Sequence, residues 1–490
     1  MIGWRRRGIA LVALAACLPS GRAHAAPPPL AAPINLTGTS ATAVGGWTNF
    51  LSNLNRSNYM LGDLFGVRTF LARYGISLAV QETSEVLGNV SGGIHKGADY
   101  DGLTQMILQL NTDRAFGWHG GLFNASALQI HGRNLSADNL GTIQTASGIE
   151  ADRATRLWEL WYDQKFLDED AADIKIGQQS VDQEFITSAN AALFVNTMFG
   201  WPAVPSYDMP GGGPAYPLSA PGIRLRWRFT EALTVLTGVF SGSPAPNRDG
   251  DPQALNASGT SFPLDTGTLV MTEIQDAYPG LGAMEYPGAG APLGHVYKLG
   301  FWYDSDGVDD QRFGNDGLPL ADPASNGITR HHRGNFGVYG VFDQMLWRQS
   351  SDPNRTMSVF GRALFAPQAD RNFLRASLNL GVTYREPIKG RADDTVGLAV
   401  GYARVSSSVS NADRDAREFG QVPGDGLQWP IRRNETFIET TYQYQMRPWW
   451  QIQPDFQYVF NPGGGIANPN DQSRKVKDEA VIGVRTNVLF

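Results

Sequence analysis

The sequence predicts an all-β protein: a transmembrane antiparallel β-barrel of sixteen strands, with long loops on one rim and a short N-terminal helix. Three observations predict it. The chain ends on AVIGVRTNVLF, where Ala480, Ile482, Val484, Thr486, Val488 and Phe490 share one face of an extended strand. Val481, Gly483, Arg485, Asn487 and Leu489 share the other. An apolar outer face with an aromatic terminus suits a barrel in lipid, where every backbone group must be paired inside a closed sheet. Segments of about ten residues with period-two alternation recur along the chain, the pattern of membrane-crossing strands. The N-terminus reads as an export leader, with Arg5, Arg6 and Arg7 ahead of the apolar run Ile9 to Leu18 and the small-residue site Ala23-His24-Ala25.

Taken in order, residues 1–25 are the signal peptide and Ala26 is the expected mature start. Leu14-Ala15-Ala16-Cys17 also matches a bacterial lipoprotein cleavage box, which would make Cys17 an acylated residue. Cys17 is the single cysteine, so cleavage after Ala25 leaves no disulfide and no thiolate site. Residues 26–60 form a flexible lead-in, Ala/Pro-rich and then Gly/Thr/Asn-rich. Residues 63–74, DLFGVRTFLARY, place Leu64, Val67, Phe70 and Leu71 near helical spacing, and Gly75 is positioned to stop the helix. Its expected role is to pack against or plug a mouth of the barrel.

From Gly75 the period becomes two. The sixteen segments are 75–88, 102–111, 119–131, 154–162, 172–178, 221–230, 232–240 and 268–277, then 296–304, 335–347, 356–365, 373–384, 394–405, 434–445, 449–460 and 479–490. An even number is what a single-chain bacterial barrel requires. The separators cluster Gly, Pro, Asn and Asp, and four are long: 185–220, 241–267, 305–333 and 406–433. No run of eighteen apolar residues follows the leader, so spanning helices are not expected. Charged residues make up 18% of the 490-residue chain and the net charge is -7, with no basic stripe for nucleic acid.

The clearest strands write a polar lumen. Glu435, Phe437, Glu439, Thr441, Gln443 and Gln445 share one face of 434–445, against Ile438, Thr440, Tyr442 and Tyr444. Gln451, Gln453, Asp455 and Gln457 oppose Trp450, Ile452, Phe456 and Tyr458. Arg375, Ser377, Asn379 and Thr383 oppose Leu378, Leu380 and Val382. Trp449, Trp450, Trp347, Trp302, Tyr384 and Tyr458 are candidates for the aromatic girdles. A half-buried sheet of a soluble sandwich gives the same alternation. The leader, the terminal aromatic, the strand number and the aromatics near strand ends favour the barrel. A barrel of this size encloses water, and a wall mixed in sign suits a neutral polyhydroxylated solute better than an anion or cation filter.

Candidate pore-lining residues follow from that face. Arg224, Arg226 and Arg228 alternate with Leu225 and Trp227 as a vertical ladder. The ladder either meets solute or stiffens the wall through lumenal carboxylates, Glu159 being one partner. Glu435, Glu439, Arg362, Arg375, Gln443, Gln453, Asp455 and Arg485 join it. The connection 185–202 could fold inward, carrying Asn196 and Trp201 to a constriction. Asp304, Asp306, Asp309 and Asp310 around Gly307 weakly suggest a calcium loop, but the later glutamate of an EF-hand is not in place. No catalytic set, phosphate loop or serine elbow stands out, and no cofactor is implied.

Several motifs occur in a particular order. Leu61-Gly62-Asp63 and Gly66-Val67-Arg68-Thr69 are followed by Leu71-Ala72-Arg73-Tyr74-Gly75-Ile76, Tyr100-Asp101-Gly102 and Asp173-Ile174-Lys175-Ile176-Gly177. Leu193-Phe194-Val195-Asn196 precedes Trp201-Pro202, and Gly334-Asn335-Phe336-Gly337-Val338-Tyr339, Asp343-Gln344, Asn461-Pro462-Gly463-Gly464 and the terminal strand come later. Over residues 61–490 this order resembles the carbohydrate-selective porin family of Gram-negative outer membranes. The resemblance implies a narrowed channel for passive diffusion of small carbohydrates, mainly monosaccharides such as glucose. It also implies lipid and the barrel-assembly machinery as partners. Whether the barrels form homotrimers is left open. The alternatives are a secreted β-rich glycan hydrolase and a general small-solute porin without sugar selectivity; a periplasmic sugar-binding protein fits less well, since it would alternate helices with strands.

Overall fold

The structure, a computed structural model, describes residues 58–279, 292–422 and 429–490. The leader and most of the lead-in lie outside the described residues. The first four strands are β1 (Ile76–Gly93), β2 (Gly97–Asn111), β3 (Gly121–Gly132) and β4 (Ala154–Phe166). Next come β5 (Ala172–Gln179), β6 (Ala220–Arg228), β7 (Leu233–Ser241) and β8 (Thr268–Tyr278). The far wall is β9 (His295–Gly314), β10 (Thr329–Gln349), β11 (Asp352–Phe365), β12 (Leu374–Arg385) and β13 (Thr395–Val405). After β14 (Asn434–Arg447) and β15 (Trp450–Phe460), β16 (Ala467–Asn468) and β17 (Asp471–Lys475) make a small separate hairpin, and β18 (Lys477–Leu489) ends the chain. Sixteen strands, all but β16 and β17, form one closed antiparallel barrel in which each pairs with its neighbours in sequence order.

Closure falls on the segment that announced the fold. β18 pairs with β15 on one side and β1 on the other, with Glu85 opposite Arg485 and Val86 opposite Val484. Ile482 and Val484 point outward and are about half exposed, whereas Arg485 and Val481 point inward and are buried. The helix is shorter than expected. A turn at Leu64–Gly66 leads into Val67–Arg73, and Asp63 accepts hydrogen bonds from Thr69 N (2.8 Å) and Thr69 Oγ1 (2.9 Å). Gly75, at φ 72°, turns the chain into β1; a Cβ there would lie 2.5 Å from the Asn111 carbonyl oxygen. The helix packs against β1. It lies at the rim, where Arg68 donates to the carbonyl oxygens of Leu78 and Phe490.

The two rims differ. At the end holding both ends of the barrel, β10 and β11 are joined by 350–351 and β14 and β15 by 448–449. At the opposite end lie the long connections 133–153, 180–219, 242–267 and 406–433. Short turns mark the periplasmic rim of such barrels and long loops the outer one. One expected loop is about half strand: β9 and β10 continue as a paired ribbon to Gly314 and Thr329, so only 315–328 of the segment 305–333 lies outside the sheet. The connection 406–433 carries a helix, Ser407–Glu418, tied down by Arg312–Asp415 (2.6 Å) and Arg432–Asp413 (2.7 Å).

Outward aromatics stack near the periplasmic ends: Trp449 on Trp450 at 6.1 Å, Trp227 on Phe229 at 4.5 Å and Trp347 beside Tyr384 at 6.4 Å. Tyr458 and Phe460 lie together near the other end. Trp302 corrects the girdle expectation. Its side chain faces inward and is fully buried, lying over Gly337, where a Cβ would come within 2.6 Å of its Nε1.

Candidate functional site

The lumen is not polar all round. The connection 180–219 folds into the barrel and carries its own apolar side chains, including Phe185, Phe194, Met198, Phe199 and Trp201, all buried. They pack on inward-facing Trp302, Tyr339 and Phe360 of the far wall and on Phe437 of β14. Phe199 sits 4.7 Å from Phe194, 5.9 Å from Phe360 and 5.4 Å from Phe437, ring centre to ring centre. β13 makes room for this by turning the small residues Gly397, Ala399, Gly401 and Ala403 inward along its middle. Glycine in a strand interior commonly marks such a close approach. A Cβ at Gly397 would lie 2.6 Å from Phe194 Cζ. Gly397→Val is therefore expected to overpack the site by about 1–3 kcal/mol, read as a lower melting temperature of the folded barrel.

Most of the predicted polar residues hold this inner fold rather than facing water. Glu435 accepts from Ile143 N (2.8 Å), Gln144 N (2.7 Å) and Gly463 N (2.6 Å). Glu439 accepts from Val195 N (2.6 Å) and Asn196 N (3.1 Å). Arg362 donates to the carbonyl oxygens of Ile186 (3.3 Å), Gly200 (2.8 Å) and Met198 (2.5 Å). Gln453 donates to Leu193 O (2.6 Å), and Arg485 pairs with Glu85 while reaching Val195 O (3.4 Å). Asn196 bonds Gln457 (2.9 Å), Asp455 accepts from the same Gln457 (2.9 Å), and Trp201 donates to Gly212 O (2.9 Å). Burying ionised groups is costly unless they are bonded on every side, and loop amides and carbonyls supply those bonds here.

Two positions differ from the sequence expectation more sharply. Glu159 sits in a β-bulge of β4 and accepts from Ser180 N (3.1 Å), so it is not the ladder's partner. Arg375 sits where the β12–β13 register shifts, and its guanidinium lies 5.3 Å from the centre of the exposed Phe365 ring, so it has left the lumen face. Gln443 bonds Gln451 (3.0 Å) beside a cavity at the periplasmic mouth.

The Arg ladder does face the lumen. Arg224 is buried against Asp173 and Glu184, its Nε 2.6 Å from Glu184, with Asp163 at 3.6 Å. Arg226 holds Asp173 through Nε (2.7 Å) but keeps 44% of its side chain exposed. Arg228 donates to Glu169 O (2.7 Å). Arg226 and Arg228 open into a cavity of about 500 Å³, within the size range of small-molecule sites. Four cations line it, Lys165, Arg226, Arg228 and Lys298, and four carboxylates, Glu169, Asp170, Asp173 and Glu184. Gln183, Thr187, Thr234 and Gln275 add uncharged donors and acceptors. Asp170, in the turn below, is held under the usual carboxylate range by the hydrogen bond from His119 (3.0 Å). Lys298 reaches Thr187 (2.7 Å) and thereby ties the wall to the infolded segment.

Sequence reasoning missed Lys298, Gln275 and Asp173, although each lies on an alternating face of an expected strand. Gln183, Glu184 and Thr187 had no periodic signal, because they belong to the connection. Among the described residues no group of His, Cys, Asp and Glu could hold a metal ion. Asp309 and Asp310 face His331 (3.2 Å) and His332 (2.8 Å) across the β9–β10 ribbon instead.

A closed sixteen-strand barrel with girdles, one looped rim and an infolded constriction is a diffusion channel of the porin class. The model of the OprB family of carbohydrate-selective porins matches residues 95–490, and the chain belongs to that family. It is a sugar-selective channel of the Gram-negative outer membrane. Porin B of Pseudomonas aeruginosa is 24% identical over 448 residues, covering 89% of this chain and 92% of that one. The high-pH structure of Pseudomonas putida OprB superposes with a TM-score of 0.75 at 24% identity, covering 89% of this chain and 99% of that one. Its low-pH structure gives a TM-score of 0.51 at 17% identity, with the same coverage.

Proposed function

We propose that the channel passes monosaccharides by passive diffusion and that the cavity beneath the infolded connection is where they are held. The balance of charge around that cavity carries the reading. Four cations against four carboxylates give no net preference for either ion sign. Closely spaced donors and acceptors match a ring of hydroxyl groups. Arg226 is the chief contact, being the ladder arginine with an exposed head, and Gln275, Gln183 and Lys298 complete the set. A sugar exchanges part of its hydration for these bonds and leaves down its gradient unchanged. Binding stays weak, since a tight site would block its own channel.

Planar-bilayer conductance of the purified mature protein tests this. Glucose is expected to reduce the ion current, and longer sugars to reduce it less. Arg226→Ala should weaken the glucose effect about tenfold, the loss of one charge-assisted hydrogen bond of ~1.5 kcal/mol. Channels indifferent to glucose would reject the sugar site and leave a general porin.

A further inference from the structure

A second cavity opens at the periplasmic mouth, across the lumen from Arg226. Its volume is about 470 Å³, close to that of the first. The first is built on β4 to β9 and the second on β12 to β15. Both lie beneath the infolded connection. Gln451 and Thr395 line the second cavity. The next inward residues above them, Gln453 and Gly397, meet Leu193 and Phe194 of that connection, Gln453 by donating to Leu193 O (2.6 Å). The wall here differs in chemistry from the ladder. Gln443 Nε2 donates to Gln451 Oε1 (3.0 Å), Gln451 Nε2 donates to Gln445 Oε1 (2.6 Å), and Gln445 Nε2 donates to the carbonyl oxygen of Arg447. This chain fixes which end of each amide is oxygen. Gln443 and Gln451 carry two N–H groups each and spend one here, so both amides can still donate to a ligand while their oxygens accept. The lip is held as well. Buried Asp394 accepts from the Tyr442 hydroxyl (2.6 Å) and from Gln445 N (3.0 Å). The charged groups on the lining are one of each sign, Arg385 and Asp393, 3.9 Å apart.

We infer that this amide-walled cavity is a second binding site, taking one neutral sugar on its way out of the channel. An ion of either sign would gain no net attraction from such a wall. Hydroxyl groups both give and take the bonds that amides offer. The inference rests on the channel being a sugar path, but it does not require the first cavity. Bonds between amides and hydroxyls are neutral, about half as strong as the charge-assisted bonds of Arg226. The second site is therefore the weaker of the two. A sugar leaving Arg226 steps onto a shallower station before release, which keeps either site from trapping it.

A chain that starts at Ala26 has no cysteine, so single cysteines can report on the site. Thr395→Cys lies on the cavity wall, and Gln109→Cys faces the lumen from β2, outside the cavity. Both are reacted with a small charged methanethiosulfonate in folded, purified protein. Glucose at about twice its dissociation constant is expected to slow the reaction at Thr395→Cys about threefold, as simple competition requires. Glucosamine and gluconate at the same concentration should not slow it, and glucose should leave Gln109→Cys unchanged. The protection should persist when Arg226→Ala is added and vanish when Gln443→Leu and Gln451→Leu are added together. Equal protection of both cysteines, protection by the charged sugars, protection lost with Arg226→Ala, or protection that survives loss of both glutamines overturns the site. So does an unprotected Thr395→Cys in a channel whose current glucose still blocks, an outcome that leaves the sugar channel standing. Glucose without effect on current or labelling removes the channel reading and this site together. Should the double leucine variant fail to fold, the contrast between Thr395→Cys and Gln109→Cys decides alone.

Discussion

Arg362→Met is expected to open the channel. The guanidinium is buried in the barrel and holds three carbonyl oxygens, those of Ile186, Met198 and Gly200, on both sides of the Phe194 and Phe199 rings. Methionine fills much of the volume and donates nothing. Each carbonyl left without a partner costs about 1–3 kcal/mol, enough together to release the connection from the wall. Conductance should rise, and the glucose effect should fall with it, because Gln183, Glu184 and Thr187 belong to the same connection. Single-channel recordings check both. A variant with wild-type conductance and intact sugar block would show that the apolar packing alone seats the connection. Glu439→Gln should act in the same direction more weakly, since an amide oxygen can still accept from Val195 N or Asn196 N.

Deleting Phe490 should sharply reduce folded barrel in the outer membrane. Phe490 N donates to Val80 O (2.8 Å), and Phe490 O accepts from Arg68, so the last residue fastens β18 to β1 and to the rim helix at once. An incomplete seam leaves strand edges without partners in a medium that offers none. The measure is the heat-modifiable, folded fraction of outer-membrane protein. We propose that the assembly machinery reads this terminal strand, and wild-type insertion of the truncated chain would count against that. Arg68→Ala should cause a smaller loss, because the strand pairing survives it.

The wall was the most legible part of the chain, because a barrel strand declares its two faces residue by residue. Glu435 to Gln445 and Gln451 to Gln457 do point inward, and Ile438 to Tyr444 outward. The occupant of the lumen was harder to read. Alternation says which way Glu439 and Arg362 point and nothing about what they meet; amides and carbonyls of residues 186–200 occupy the space assigned to water. A partial signal existed in β13, where Gly397, Ala399, Gly401 and Ala403 offer no polar group to a water-filled pore. Trp302 misled because an aromatic near a strand end suggests a girdle, while its parity places it inside with Lys298 and Asp304. Arg375 misled because a bulge breaks parity, and a bulge adds no mark to the alternation.

The attachment of residues 180–219 also has a temporal side. Glu273, Asp343, Arg362, Glu439 and Gln453 bind this segment, and every one of them follows it in the chain. The sieve is therefore translocated before the wall that seats it. Until the C-terminal half arrives, Phe194 and Phe199 lack the wall rings of Phe360 and Phe437 against which they pack. The seat of the constriction is thus a composite that exists only once the rings of β11 and β14 stand opposite Phe199.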